Sequence, residues 1–171
     1  MRGGLKGLPD DDLAADLFEL TQEMTDRVGL PAYEISNHAS PDDRVVHNQI
    51  YWKSGDWVGI GPGAHGRLTL GEMRVATRTY LNPMIWLSHV STNETGECER
   101  DTLTKEDIQN EQLMMGLRLS EGIALSSIDE NFDFKIRELE KIGLLKLIGG
   151  QLSATKRGRS VLNYVLRELL A

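Results

Sequence analysis

Cysteine is nearly absent from this sequence. Its 171 residues hold one, Cys98. That excludes a disulfide framework within the chain, and a cysteine-ligated zinc or iron–sulfur centre built from this chain alone. Long apolar runs are missing as well, and no window approaches the ~18–20 apolar residues a membrane span needs. The opening MRGGLKGLPDDD lacks the apolar stretch of a secretory signal, so a cytoplasmic setting is expected. There is no excess of positive charge, since 19 Lys and Arg face 26 Asp and Glu for a net charge of −7. The imbalance lies in residues 1–102, with 9 basic and 16 acidic side chains, whereas residues 103–171 carry 10 of each. Neither part offers the clustered cations that neutralise phosphates, so nucleic acid is not an expected partner. What remains is a globular composition, 40% apolar and 26% charged, enough for one sizeable core or two small ones.

Helix punctuation organises the start of the chain. Pro9 and the acids Asp10, Asp11 and Asp12 precede Leu13, Leu17, Leu20, Met24 and Val28 at helical spacing, and Gly29 and Pro31 end the pattern. This predicts a helix over 10–28 and a short strand over 32–37. Residues 38–56 read as loop, interrupted by the aromatic residues of 47–52. Residues 57–60 read as a strand, 65–70 and 73–78 as a hairpin around Gly71-Glu72, and 80–90 as a helix with Pro83 in its first turn. The polar stretch 91–102 reads as a boundary. Beyond it, Thr104 caps a helix running to about 119, Ser126 or Ser127 starts a short one, and Asp133 caps a third. A hairpin turns at Gly149-Gly150, and Thr155 caps a last helix with Val161, Leu162, Val165, Leu166 and Leu169 on its apolar stripe. Three helices, a hairpin and a closing helix predict a winged-helix-like module.

Two segments carry candidate chemistry. HNQIYW (47–52) gathers an imidazole, a carboxamide, a phenol and an indole. His47 and Tyr51, four apart, share a face. An imidazole beside aromatic planes suits a haem iron, and it equally suits a structural histidine in an aromatic minicore. GIGPGAHG (59–66) looks like a phosphate loop but lacks the Lys-Ser/Thr of the nucleotide-binding pattern, and Pro62 removes a donor. The alternative is a tight strand-to-strand connection whose glycines permit close approach. Glu34 is either a tuned acid or an outward side chain on an alternating strand. His38, His47, His65 and Cys98 match no zinc spacing, so no metal site is expected. The third helix of the C-terminal module, FKIRELEKIG, alternates Lys and Arg with Glu, which favours intrahelical ion pairs over DNA phosphates.

Four segments in order, YEISNHA (33–39), HNQIYW (47–52), GDWVGIGPGAHGR (55–67) and QLMMGLRLSEGI (112–123), resemble the C-terminal half of HemW-type proteins. These belong to the coproporphyrinogen III dehydrogenase-like branch of the radical SAM superfamily. The resemblance implies an α+β fold: over 1–102 the end of a partial (β/α) barrel with a β-hairpin extension, and over 103–171 a winged-helix-like C-terminal domain. It implies a parent protein whose N-terminal part holds a [4Fe–4S] cluster and S-adenosylmethionine, so that this chain is a fragment with no catalytic residues of its own. Haem handling in porphyrin metabolism follows by the same resemblance, with haem and haem-receiving proteins as partners. His47 becomes the haem ligand, supported by Asn48, Tyr51 and Trp52. Arg44-Val45-Val46-His47 stands where the family more usually has Arg-x-Cys-x-His, which leaves no accessory thiol. Glu34, Gly59, Gly61 and Gly63 become residues near cofactor or substrate. The rival readings are an oxygen-independent coproporphyrinogen III oxidase, which decarboxylates propionates, and a stand-alone winged-helix binding module.

Overall fold

Side-chain caps start the longer helices as the sequence requires. In the computed structural model, which describes residues 7–171, the Asp10 carboxylate accepts from Leu13 N at 2.9 Å and opens α1, Asp11–Arg27. Asn82 accepts from the amides of Met84 and Ile85 ahead of α3, Pro83–Asn93. A full capping box joins Thr104 and Asp107 at the head of α4, Lys105–Gly116. The remaining helices are α2, Val46–Trp52; α5, Asp133–Lys141; α6, Lys156–Ser160; and α7, Leu162–Leu170.

The strands form two antiparallel three-stranded sheets. β1 (His65–Leu70), β2 (Met73–Thr79) and β3 (Glu97–Thr102) lie in sequence order. The hairpin turn falls at Gly71-Glu72 as expected, with Leu70 opposite Met73. In the second sheet β6 (Gln151–Ala154) sits between β4 (Ile123–Ala124) and β5 (Leu145–Ile148). Its hairpin turns at Gly149 and Gly150, both at positive φ, which is the backbone a two-residue turn of this kind demands.

The core lies in the C-terminal part. Leu113 and Leu117 of α4 and its C-cap meet Ile136 and Leu139 of α5, Leu145 and Leu152 of the second sheet, and Leu162, Val165, Leu166 and Leu169 of α7. The expected apolar stripe of the last helix is thus real, but Val161 is not in it. The backbone breaks at Val161, separating α6 from α7, and Val161 is exposed. The break allows Gly158 to press against the Leu144 carbonyl, where an added Cβ would come within 1.9 Å.

Several expectations are corrected. Residues 32–37 form no strand; one antiparallel bridge, Ala32 to His38, closes a tight loop. Residues 57–60 likewise make a single bridge, Trp57 to Arg67. The 47–52 stretch, read within a loop, is helical. The polar run before residue 102 hides β3, whose alternating charges face solvent on an edge. The helix expected at Ser126 is one 3-10 turn, Leu125–Ser127. Asp133 is the first residue of α5, and its N-cap is Phe132. On α1 the stripe Leu13, Leu17, Leu20, Met24 and Val28 is exposed. The half-buried residues are Phe18, Gln22 and Thr25, and Thr25 Oγ1 meets His38 Nδ1 at 2.8 Å. The helix is therefore pinned along a neighbouring face. No two strands among the described residues pair in parallel.

Leu113 is fully buried among the core helices. Leu113→Ala is expected to lower unfolding free energy by about 3 kcal/mol through lost burial and a residual cavity; a loss under ~1 kcal/mol in urea titration contradicts that packing. A second expectation concerns acid. Asp56 accepts from Thr69 N and Thr69 Oγ1, both at 2.8 Å, and from Arg74. The Thr69 hydrogen bonds hold its carboxyl below the ordinary 3.8, with the Arg74 charge adding to them. A depressed folded-state value means the stabilisation is whole above the unfolded value and is lost as pH falls through the folded one. Melting temperature is expected to fall below about pH 4 in the wild type and less steeply in Asp56→Asn; parallel acid limbs contradict the role.

Candidate functional site

Helical spacing places the motif side chains of α2. His47 and Tyr51 stand one turn apart, with Nε2 and the phenol oxygen 3.0 Å apart and the rings edge-on at 4.8 Å. Tyr51 in turn meets Trp57 edge-on at 4.8 Å. The Trp57 indole N–H donates to the His65 carbonyl at 3.0 Å, and its backbone pairs with Arg67 in both directions. The Arg67 guanidinium lies over the Trp57 ring at 5.8 Å and bonds both carboxylate oxygens of Glu111 on α4. A continuous stack thus runs from α4 through β1 to His47, which is exposed at its end.

Asn48 and Trp52 occupy the adjoining face of α2. Asn48 is half-buried. The Trp52 indole N–H is buried with no hydrogen-bond partner, and the Arg118 guanidinium sits 5.6 Å from the ring. An orphaned donor of this kind costs about 1–3 kcal/mol. The expected motif therefore splits, with His47 and Tyr51 in one stack and Trp52 against α4 and its C-terminal extension.

Glu34 is corrected from a surface side chain. It is 1% exposed, and its Oε1 accepts from Ser36 N at 3.1 Å. Its own carbonyl accepts from Arg159 at 2.6 Å, and Arg159 also donates to Ser120 Oγ at 2.6 Å. Burial draws the Arg159 guanidinium below the ordinary arginine value, opposed by the charges of Glu34 and Asp26. Glu34 thus belongs to the seam between the 32–38 loop and α6.

The glycine segment is a packed corner. The amides of Gly63 and Ala64 are already committed, to the Tyr80 carbonyl at 2.9 Å and to Thr79 Oγ1 at 2.8 Å. Thr79 Oγ1 also donates to the Gly61 carbonyl at 2.6 Å. A Cβ at Gly59 would come within 2.7 Å of the His65 backbone, and one at Gly63, where φ is +70°, within 2.8 Å of Leu81. Those two amides are not free for a phosphate, and the close contacts of the corner favour a tight strand-to-strand connection. Gly59 presses against His65, the residue whose carbonyl anchors Trp57, so this corner braces the stack. Gly61, at φ +100° with open space around it, relieves the turn.

Trp57, Arg67, Glu111 and Arg118 escaped the site list read from sequence. Trp57, Arg67 and Arg118 lie inside segments that carried the family resemblance, which was the available signal. Glu111 had none, because its partner is 44 residues away. Among the described residues no three of His, Cys, Asp or Glu gather as a metal site. Thr79→Val is expected to cost about 1–3 kcal/mol by stripping the Ala64 amide and the Gly61 carbonyl of their partner; unchanged stability in chemical denaturation contradicts the corner's role.

Comparison with known proteins follows this geometry. Residues 103–161 match the HemN C-terminal domain family. The chain is 31% identical to the radical S-adenosyl methionine domain-containing protein 1, mitochondrial, of Bos taurus, over 95% of this chain and 40% of that protein. It is 31% identical to a heme chaperone HemW of Mycobacterium tuberculosis, over 99% of this chain and 43% of that protein. With the heme chaperone HemW of Escherichia coli it shares 42% identity over 72 residues. The structure of the Escherichia coli coproporphyrinogen III oxidase HemN, a radical SAM enzyme, superposes with a TM-score of 0.69 at 17% identity, covering 95% of this chain and 42% of that one. That likeness concerns fold. The chain spans about two fifths of the length of the Bos taurus and Mycobacterium relatives.

Proposed function

We propose, from the premise that this chain is HemW-like over nearly its whole length, that it binds haem through His47 and forms part of a haem-handling protein of the radical SAM superfamily. The observation that carries the reading is the exposed His47 imidazole, held from behind by Tyr51, Trp57, Arg67 and Glu111. Haem, when bound, would supply an iron that takes a nitrogen donor. His47 fits that role. The 3.0 Å contact between Nε2 and the Tyr51 hydroxyl leaves Nδ1 as the ring nitrogen open to a ligand if Nε2–H is the donor, an arrangement of the kind that orients a ligating histidine. Tyr51 positions the ring, and Trp57 limits its swing.

The rest of the reading follows the family. Residues 1–102 are the end of a partial barrel with its hairpin extension, and residues 103–171 a winged-helix-like domain. The order α4, β4, α5, β5, β6 with β4 beside β6 supports the latter. A [4Fe–4S] cluster with S-adenosylmethionine belongs to the parent. One cysteine does not fit a three-thiolate cluster, so none is assigned to this chain. Glu34, Gly59, Gly61 and Gly63 act structurally in this reading. Haem-receiving proteins are the partners, and the setting is cytoplasmic. No helix among the described residues is long and apolar enough to cross a membrane. Oxidative decarboxylation of propionates is not adopted, because the HemN likeness is one of fold.

Hemin titration tests the proposal. The wild type is expected to give a saturable Soret shift and His47→Ala to weaken it about tenfold, the worth of one good ligand or hydrogen-bonded contact. Tyr51→Phe is expected to weaken it less. An identical shift and affinity in His47→Ala overturns His47 as ligand.

A further inference from the structure

Arg118, which covers Trp52 of α2, also lines a second feature. A cleft of about 530 Å³ opens between α1, the 32–38 loop and the α6–α7 break, within the range of small-molecule sites. Phe18, Ile35 and Tyr164 supply apolar wall, and Arg118, Arg159 and Arg167 supply charge. Among the described residues these three arginines, like Arg137 and Arg157, have no carboxylate within 4.0 Å, whereas Arg27, Arg44, Arg67, Arg74, Arg78 and Arg100 do. In a chain of net charge −7, this convergence runs against the overall sign.

The donors are not equivalent. Arg159 has committed two nitrogens to Ser120 Oγ and the Glu34 carbonyl, and it contributes charge from the cleft floor. Arg118 gives one nitrogen to the Met114 carbonyl and keeps the rest. Arg167 lies over the Tyr164 ring at 5.6 Å with no hydrogen bond from its guanidinium among the described residues. A planar guanidinium with unspent N–H groups recognises a carboxylate in bidentate fashion. Arg118 also covers the Trp52 ring of α2, so one side chain touches both the cleft and the HNQIYW segment.

We propose that this cleft is a carboxylate clamp for a flat apolar acid, with Arg118 and Arg167 holding the propionate side chains of a tetrapyrrole. This rests on the haem reading and adds to it the part of the site that needs no metal. It makes binding depend on two carboxylates and separates that dependence from iron ligation by His47.

The test uses metal-free mesoporphyrin IX, a dicarboxylic acid, and its dimethyl ester, titrated by fluorescence into the full chain in one detergent buffer. The wild type is expected to bind the diacid at least tenfold more tightly than the diester. Arg167→Gln and Arg118→Gln are each expected to weaken the diacid about tenfold and leave the diester unchanged. Arg167 is exposed, so its variant keeps the fold, as circular dichroism checks. Absence of diacid binding in the wild type, equal binding of diester and diacid, or undiminished binding in Arg167→Gln overturns the clamp. His47→Ala separates the two claims. The clamp requires it to bind metal-free diacid like the wild type, while the ligand assignment requires it to lose affinity for hemin.

Discussion

The two parts of this chain are held together by the need to satisfy buried polar groups around the 32–38 loop. That loop has a single bridge of its own, so its carbonyls look elsewhere for donors. Ser120 N serves Tyr33 at 3.0 Å, Arg159 serves Glu34, and Tyr33 and Glu34 are buried beneath them. A buried carbonyl without a partner costs about as much as a lost hydrogen bond, so the seam is decided by pairing as much as by apolar contact. Remove the guanidinium of Arg159 and three groups each lose a partner together: the Glu34 carbonyl, Ser120 Oγ and the Glu34 carboxylate whose charge it opposes.

A second tie, Arg67 to Glu111, performs the equivalent task for the first sheet. It joins β1 to α4 through a well-shielded, forked ion pair. Desolvation offsets much of the attraction in such a pair, so its value lies in fixing geometry more than in stability. The geometry it fixes is that of Trp57, then Tyr51, then His47. An exposed imidazole on a seven-residue helix would otherwise be poorly placed, since α2 has no side-chain N-cap and no fully buried residue. Rigidity reaches His47 from the core through aromatic edges, which is how a site on a short element acquires preorganisation.

Both hairpins, the capped starts of α1 and α4, and the apolar stripe of α7 were legible from sequence, because each depends on residues within a turn or two of one another. The elements that were misread depend on distant partners. Residues 32–37 alternate like a strand, but no strand lies beside them, and Arg159 and Ser120 claim their carbonyls. The charged run of β3 reads as linker, yet the edge of β2 supplies the ladder and solvent accepts the charges. The α1 stripe has the period of a core helix, and among the described residues no element covers it. At the site, His47 and Tyr51 were visible as an i, i+4 pair. Trp57 and Arg118 were not, since nothing local says that they pack against that helix.

Local grammar therefore determined the caps, the turns and the chemistry of the HNQIYW segment, because a helix turn or a two-residue hairpin turn is decided by side chains that are neighbours in sequence. The likeness to HemW-type proteins was equally written there, in the order of four short segments. Tertiary structure alone packed the glycine segment against Thr79 and Tyr80, which take the amides of Ala64 and Gly63. It alone buried Glu34 and gathered three arginines from separate elements against one cleft. Burial and charge pairing are sums over neighbours in space, and for these residues the neighbours lie tens of positions away in the chain.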